Sequence, residues 1–400
     1  MKKKSLVKIF AIFFVGLIPF YDVPQFPVPG LTWSFLFAPI FLFLYFFLLG
    51  KFERKLVISF YPILYFCLFL VIYIISYLYN FNGLSIEGFN HIFFYIITFF
   101  FYYICFYLSL CFLGKAYIQK IVYLGLIVIA LVGTVEILVF FVFGYGEYES
   151  FLNHGGNVGV YGGFFPRMRS LFNEPSHLAI FVVSCSVFVW ELGFRARLLV
   201  TYILFWTFST SAAFGVLLAF LVYNLYKSFF NRRAIYKINL LLLIMIPASL
   251  FGLLMQFPLF IKLFALFSGA NSSDDVRRKA LLSSIQYLNE NPFIGLGPTF
   301  YYSYSEAGLF NLYLQLYIEA GFLGLIFFLS FYFYHLKAAL IKPVYFIAFF
   351  ALFFQYIGMN HYYIPGMWIM LAYIHYNSFL FKKGLQGPTH EGCTCNYRVG

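Results

Sequence analysis

Residues 198–226 read LLVTYILFWTFSTSAAFGVLLAFLVYNLY, and the number of times this run crosses a bilayer decides the topology of everything after it. A span needs about 20 apolar residues, within a range of roughly 17–25. The run is long for one crossing and short for two. The segment after it carries Lys227, Arg232, Arg233 and Lys237. A single crossing would leave that cluster outside. Two crossings put it in the cytoplasm, where Lys and Arg of short loops collect. Ser209-Thr210-Ser211 marks the reversal, so the reading is two short helices, or a re-entrant pair, hinged there. Irregular backbone at that depth has to be buried in protein or line a wet cavity.

The composition explains why a bilayer is the right solvent. Hydrophobic residues make up 63% of the 400 and charged residues 10%, with 60 Phe and 35 Tyr. A soluble domain carries about 25% charged residues, so this chain could not cover its own surface in water. Disorder, a soluble enzyme and a coiled coil are excluded. The net charge of +12 does not point to nucleic acid, because in a membrane protein the side on which cations sit carries the meaning. Cys67, Cys105, Cys111 and Cys185 lie in apolar runs as small core residues. Cys393 and Cys395 are too close and too few for a zinc site.

Apolar runs fall near 6–20, 31–49, 56–79, 91–113, 121–143, 175–194, the divided 198–226, 238–256, 314–336, 344–359 and 366–381. The fold class is therefore an all-α polytopic membrane protein of about 12 transmembrane helices. Residues 1–383 form one integral membrane domain, both termini are cytoplasmic, and 384–400 is a polar tail. The first run follows Met1-Lys2-Lys3-Lys4 without a small-residue cleavage site and reads as an uncleaved helix. Of the 26 basic residues, Arg167, Arg169, Lys262, Arg277, Arg278 and Lys279 fall outside and the rest inside.

Two connections are long, about 144–174 and 257–313, and both face outside in this topology. Loops of that length are usually functional. The first ends Phe165-Pro166-Arg167-Met168-Arg169-Ser170-Leu171-Phe172-Asn173-Glu174-Pro175-Ser176-His177-Leu178-Ala179. Pro175 suits the first turn of a helix, with Asn173 or Glu174 as its cap. Glu174 and His177, three apart, share one face of that helix. A capped helix with arginines on lipid headgroups is the plain alternative. Against it stands the density of Arg, Glu and His in so charge-poor a chain.

The second loop holds Asp274-Asp275-Val276-Arg277-Arg278-Lys279, which suits a short interfacial helix. Either it is a solvated helix with matched dipole, or its cations form an anion site at the headgroup plane. It continues Asn291-Pro292-Phe293-Ile294-Gly295-Leu296-Gly297-Pro298, a compact turn back to the bilayer. Asn311, Gln315 and Glu319 then make a polar stripe on one helical face, which in lipid turns inward to partners or a cavity. Helix–helix hydrogen bonding accounts for Gln315 readily and for Glu319 less so, since a buried charge costs more. Glu136, inside the fifth span, stays open between structure and function.

These two segments together resemble the O-antigen polymerase and ligase superfamily of bacterial membrane glycosyltransferases. The Ser-Leu-Phe-Asn-Glu-Pro-Ser-His-Leu-Ala stretch after the arginines is one match. The other is Asn-Pro-Phe-Ile-Gly-Leu-Gly-Pro followed by Asn-Leu-Tyr-Leu-Gln-Leu-Tyr-Ile-Glu-Ala-Gly-Phe-Leu-Gly. The Glu-Pro-Ser version is closer to repeat-unit polymerases of O-antigen or capsule. Ligases often carry His just before the Asn of the second motif, where this chain has Phe310.

The resemblance implies an enzyme that moves a growing glycan from undecaprenyl diphosphate to a new lipid-linked repeat unit, at the outer face of the bacterial cytoplasmic membrane. It implies Glu174 and His177 as catalytic, and Arg169, Arg278, Arg167 and Arg277 as diphosphate-binding. Asn311, Gln315 and Glu319 would line the acceptor site or cavity. No metal, cofactor or nucleic acid is expected. The partners are undecaprenyl-diphosphate-linked oligosaccharides, membrane lipid and a chain-length regulator. A ligase and a transporter or flippase of a lipid-linked anionic substrate are the rival readings.

Overall fold

A computed structural model describes residues 2–20, 33–49, 59–80, 86–144, 147–148, 166–230, 282, 284, 286–287, 290–300 and 311–382. Among them there are helices and no strand. The helices are α1 (Lys2–Gly16), α2 (Ser34–Leu49), α3 (Phe60–Tyr79), α4 (Ile86–Thr98), α5 (Phe106–Leu113), α6 (Lys115–Phe143) and α7 (Pro175–Val189). They continue as α8 (Phe194–Thr207), α9 (Thr210–Phe230), α10 (Leu312–Tyr334), α11 (Leu336–Ala339), α12 (Pro343–Gln355) and α13 (Pro365–Lys382). A π-helical stretch, Phe99–Cys105, joins α4 to α5.

Six helical stretches are long and apolar enough to cross a membrane: Phe60–Tyr79, Glu87–Leu113, Lys115–Phe143, Pro175–Leu192, Thr210–Lys227 and Leu312–Ala339. Ser34–Phe47 and Pro343–Gln355 are shorter apolar helices. The chain is a multi-pass helical membrane protein. Each apolar run expected to span matches a helix, except 238–256, which lies outside the described residues. Most of the two long loops lies outside them too.

The expected break in 198–226 is present. Helix α8 ends at Thr207, Phe208 takes a left-handed conformation (φ 43°), and α9 starts at Thr210. The contacts give the directions. At the start of α8, Arg197 Nε donates to Trp190 O, beside the end of α7. At its other end Met168 N donates to Trp206 O and Arg167 Nε to Thr207 O. Helix α9 then returns along α12, with Gly215 against Ala351 and Tyr223 and Tyr226 against Phe346. The two short helices reverse, as the basic cluster after residue 226 requires.

Helices α8, α9 and α12 therefore run between two ends of one bundle. One end carries Lys115, Glu191 and Lys342, where Glu191 bridges both lysines. The opposite end carries the 166–174 loop, Ser209, Asn311 and the 356–364 connection. Between them the core is aromatic. Phe66 stacks on Phe99 at 4.1 Å between ring centroids and meets Trp368 edge-on at 5.5 Å. Lipid tails are as apolar as these rings, so close fit and buried hydrogen bonds hold the helices together. Gln119 on α6 shows the second kind: its Nε2 donates to Phe188 O of α7 and to Tyr373 Oη of α13.

Candidate functional site

The loop leading into α7 is held by Tyr148 and by α6. Tyr148 Oη accepts from Arg167 N at 3.0 Å and donates to Arg167 O. Burial, with the Glu136 charge adding to it, pushes the Tyr148 phenol pKa up, so it stays a donor. Ser170 sits at φ 54° and sends its hydroxyl to Ile129 O at 2.7 Å. Its N–H and that of Arg169 both donate to Glu136 Oε2 at 2.8 Å. Arg169 Nε meets Glu136 Oε1 at 2.6 Å and Nη2 donates to Tyr148 O at 2.7 Å. Both side chains of this ion pair are fully buried. Glu136, left open by sequence, is thus the anchor of the loop.

The two arginines of the loop consequently differ. Arg169 is turned into the bundle with its charge matched, whereas Arg167 remains part-exposed at the loop end. Arg277 and Arg278 lie outside the described residues.

Glu174 occupies the position before α7 in extended conformation (φ −131°, ψ 146°), and Pro175 opens the helix. The Glu174 side chain caps no backbone N–H. It accepts instead from Ser176 Oγ at 2.9 Å. Its Oε2 lies 3.9 Å from Nε2 of His177, the residue one turn on. Glu174 is about half exposed at 48% of its side chain, while His177 is buried.

A residue that sequence reading did not select completes this group. His361, from the connection between α12 and α13, sets its ring 4.2 Å from that of His177 at 70°. Ligand atoms of Glu174, His177 and His361 all lie within 4.8 Å of one another. Tyr363 Oη holds His361 Nδ1 at 2.6 Å. The signal available was Asn360-His361 at the end of an apolar run, with Tyr362-Tyr363 before Pro365.

The second motif is tied to the same end. Helix α10 breaks at Gly321 (φ 68°), and the 292–297 segment fills the break. Phe322 N donates to Pro292 O at 2.8 Å, Leu296 N to Ile318 O at 2.7 Å, and Gly297 N to Glu319 O at 3.1 Å. The buried Glu319 carboxylate accepts from Tyr73 Oη at 2.6 Å, Thr299 N at 3.1 Å and Gln315 Nε2 at 3.1 Å. Gln315 Oε1 in turn accepts from Asn360 Nδ2 at 3.0 Å. Asn311 caps α10, its Oδ1 accepting from Leu314 N at 3.0 Å. Within the polar stripe, Glu319 and Gln315 therefore form a hydrogen-bonded chain that ends at Asn360, the neighbour of His361, while Asn311 serves as the helix cap.

The structure so brings together Glu174 and His177, adds His361, and links Gln315 and Glu319 to them through Asn360, with Arg167 at the same end of the bundle. A carboxylate and two imidazoles can take up a proton or hold a cation. Comparison with known families adds one finding. Residues 196–329 match a family model described as O-antigen ligase, consistent with the O-antigen polymerase and ligase superfamily. The matched stretch contains Asn311, Gln315 and Glu319; Glu174 and His177 precede it and His361 follows it. No curated protein matches the chain.

Proposed function

We propose that the chain is a polymerase of lipid-linked oligosaccharide repeat units. It would transfer the growing glycan from undecaprenyl diphosphate to a new undecaprenyl-diphosphate-linked unit, at the outer face of a bacterial cytoplasmic membrane. The observation that carries the proposal is the grouping of Glu174, His177 and His361 at the same end of the bundle as Arg167. That is the end opposite the Lys115–Glu191–Lys342 cluster, which the positive-inside tendency assigns to the cytoplasm.

The chemistry follows from these positions. The acceptor hydroxyl attacks the anomeric carbon, the bond to the lipid diphosphate breaks, and negative charge grows on the departing oxygen. A planar guanidinium suits diphosphate oxygens, so Arg167 meets the leaving group, with Arg277 and Arg278 as further cations. Glu174, the most open of the three clustered side chains, takes the hydroxyl proton, and His177 contacts phosphate or sugar. Asn311, Gln315 and Glu319 shape the acceptor side by setting the start of α10 and the 360–361 position. Arg169 supports the loop that carries Arg167. A chain-length regulator would act on the same product.

A ligase is the second reading, and the description of the matched family favours it. Both use a lipid-diphosphate donor and differ in the acceptor. Cells lacking the gene separate them. Polymerase loss leaves single repeat units on the lipid core, whereas ligase loss leaves the core bare and flippase loss traps units inside. Normal polymer in such cells removes the polymerase reading.

A further inference from the structure

We propose that Glu174, His177 and His361 hold a divalent metal cation. Two imidazoles and one carboxylate are a donor set that first-row divalent cations take. Glu174, in extended conformation just before α7, and His177, in its first turn, bring Oε2 and Nε2 to 3.9 Å of each other. The same Glu-x-x-His spacing builds metal sites inside helical bundles. His361 comes from the connection before α13, so the fold and not a local motif completes the set. That is why the sequence carries no metal signature. Ligand distances of about 2.0–2.2 Å place donor atoms roughly 3–3.5 Å apart. The three donors, within 4.8 Å of one another, close that gap by small side-chain rotations, the half-exposed Glu174 moving most readily.

The surroundings of the three side chains are a second and independent sign. Metal-binding His and carboxylate groups are usually oriented by outer hydrogen bonds. Tyr363 Oη meets His361 Nδ1 at 2.6 Å, which leaves Nε2 for the cation when Nδ1 donates to the phenol oxygen. Ser176 Oγ donates to Glu174 Oε2 at 2.9 Å. Asn360, beside His361, is held by Gln315, and Gln315 by Glu319. Three protein ligands leave coordination positions open, and the exposure of Glu174 shows that this side is accessible. An oxygen donor fits there. Resting on the reading above, that donor is a diphosphate oxygen, and the cation shares the leaving group's charge with Arg167. Glu174 would bind through one oxygen and keep the other toward the acceptor hydroxyl.

Direct titration tests the site without any sugar substrate. His390, Cys393 and Cys395 would compete for soft metals, so the full chain is prepared with His390→Ala, Cys393→Ser and Cys395→Ser. It is stripped with chelator in detergent and titrated with Co2+, read by visible absorption. One Co2+ per chain is expected. Tyr363→Phe should weaken binding by about tenfold, the low end for an outer-shell partner. Glu174→Gln and His361→Ala should weaken it further. Absence of stoichiometric Co2+, or unchanged affinity in both Glu174→Gln and His361→Ala, overturns the proposal. Should His361→Ala fail to fold, Glu174→Gln decides, because that carboxylate stands at the surface. Missing Co2+ alongside normal polymer in cells removes the cation alone. Bound Co2+ alongside unaltered polymer after gene loss removes the polymerase reading alone.

Discussion

The Arg169 guanidinium donates to the Glu136 carboxylate at 2.6 Å, and neither side chain meets solvent. The same carboxylate accepts two backbone N–H groups from Arg169 and Ser170. One glutamate on α6 thus holds the loop that carries Arg167 and leads into Glu174. Breaking a buried pair leaves an uncompensated charge, at about 3–5 kcal/mol. Arg169→Ala and Glu136→Ala are each expected to lower the melting temperature in detergent sharply and to reduce the protein found in membranes. Arg169→Lys should also be harmful, since one ammonium cannot serve both Glu136 and Tyr148 O. Exchanging both residues for Leu should recover part of the loss. A wild-type melting temperature for Arg169→Ala would contradict this account.

Gly321 is expected to tolerate no side chain. Its φ of 68° disfavours every L-residue with a Cβ, and that atom would collide with the Phe293 backbone. Gly295, at φ 84°, is equally confined from the other side, where a Cβ would lie 2.5 Å from Gly321 N. Gly321→Ala should therefore undock the 292–297 segment and not merely strain α10. Limited proteolysis reads this directly: new cleavage within 290–300 is expected, and an unchanged digestion pattern would refute it.

Glu191 provides the contrasting case. It bridges Lys115 and Lys342 at the other end of the bundle, with all three side chains about a quarter exposed. Exposed ion pairs contribute about 0–1 kcal/mol. Glu191→Gln should leave membrane level and melting temperature close to wild type at moderate salt. A loss as large as that from Arg169→Ala would mean the bridge is far better shielded from solvent than its exposure indicates.

The helices were legible because an apolar run of span length has few alternatives in lipid. Even the Phe208–Ser209 reversal followed from run length and the basic residues behind it. The site was legible only where chemistry and sequence are neighbours, as in Glu174 and His177 one helical turn apart. Arg169 reads in sequence as an outer, diphosphate-binding cation because its partner Glu136 lies 33 residues earlier on α6, and periodicity does not pair a loop with a helix. His361 was passed over for the same reason: nothing near it in sequence shows that α7 delivers His177 beside it. The Gly321 break hid inside an apolar run whose composition fits an unbroken helix equally well.

The separate environments of the two loop arginines yield the last prediction. Arg169 is a partner of Glu136, so its loss should act through folding. Arg167 places its backbone on Tyr148 and its Nε on Thr207 O, and it is part-exposed at the end of the bundle that carries Glu174. Losing its bond to Thr207 O costs about 0.5–1.5 kcal/mol, far less than breaking a buried ion pair. Arg167→Ala should therefore keep a near-normal melting temperature and membrane level while shortening the polymer made in cells. If the guanidinium meets diphosphate through its planar fork, Arg167→Lys restores charge but not geometry and recovers polymer length only in part. An arginine that merely rests on lipid headgroups predicts full recovery with Lys and little effect with Ala. Polymer of normal length from Arg167→Ala, with the protein present at wild-type level, would take Arg167 out of the diphosphate site.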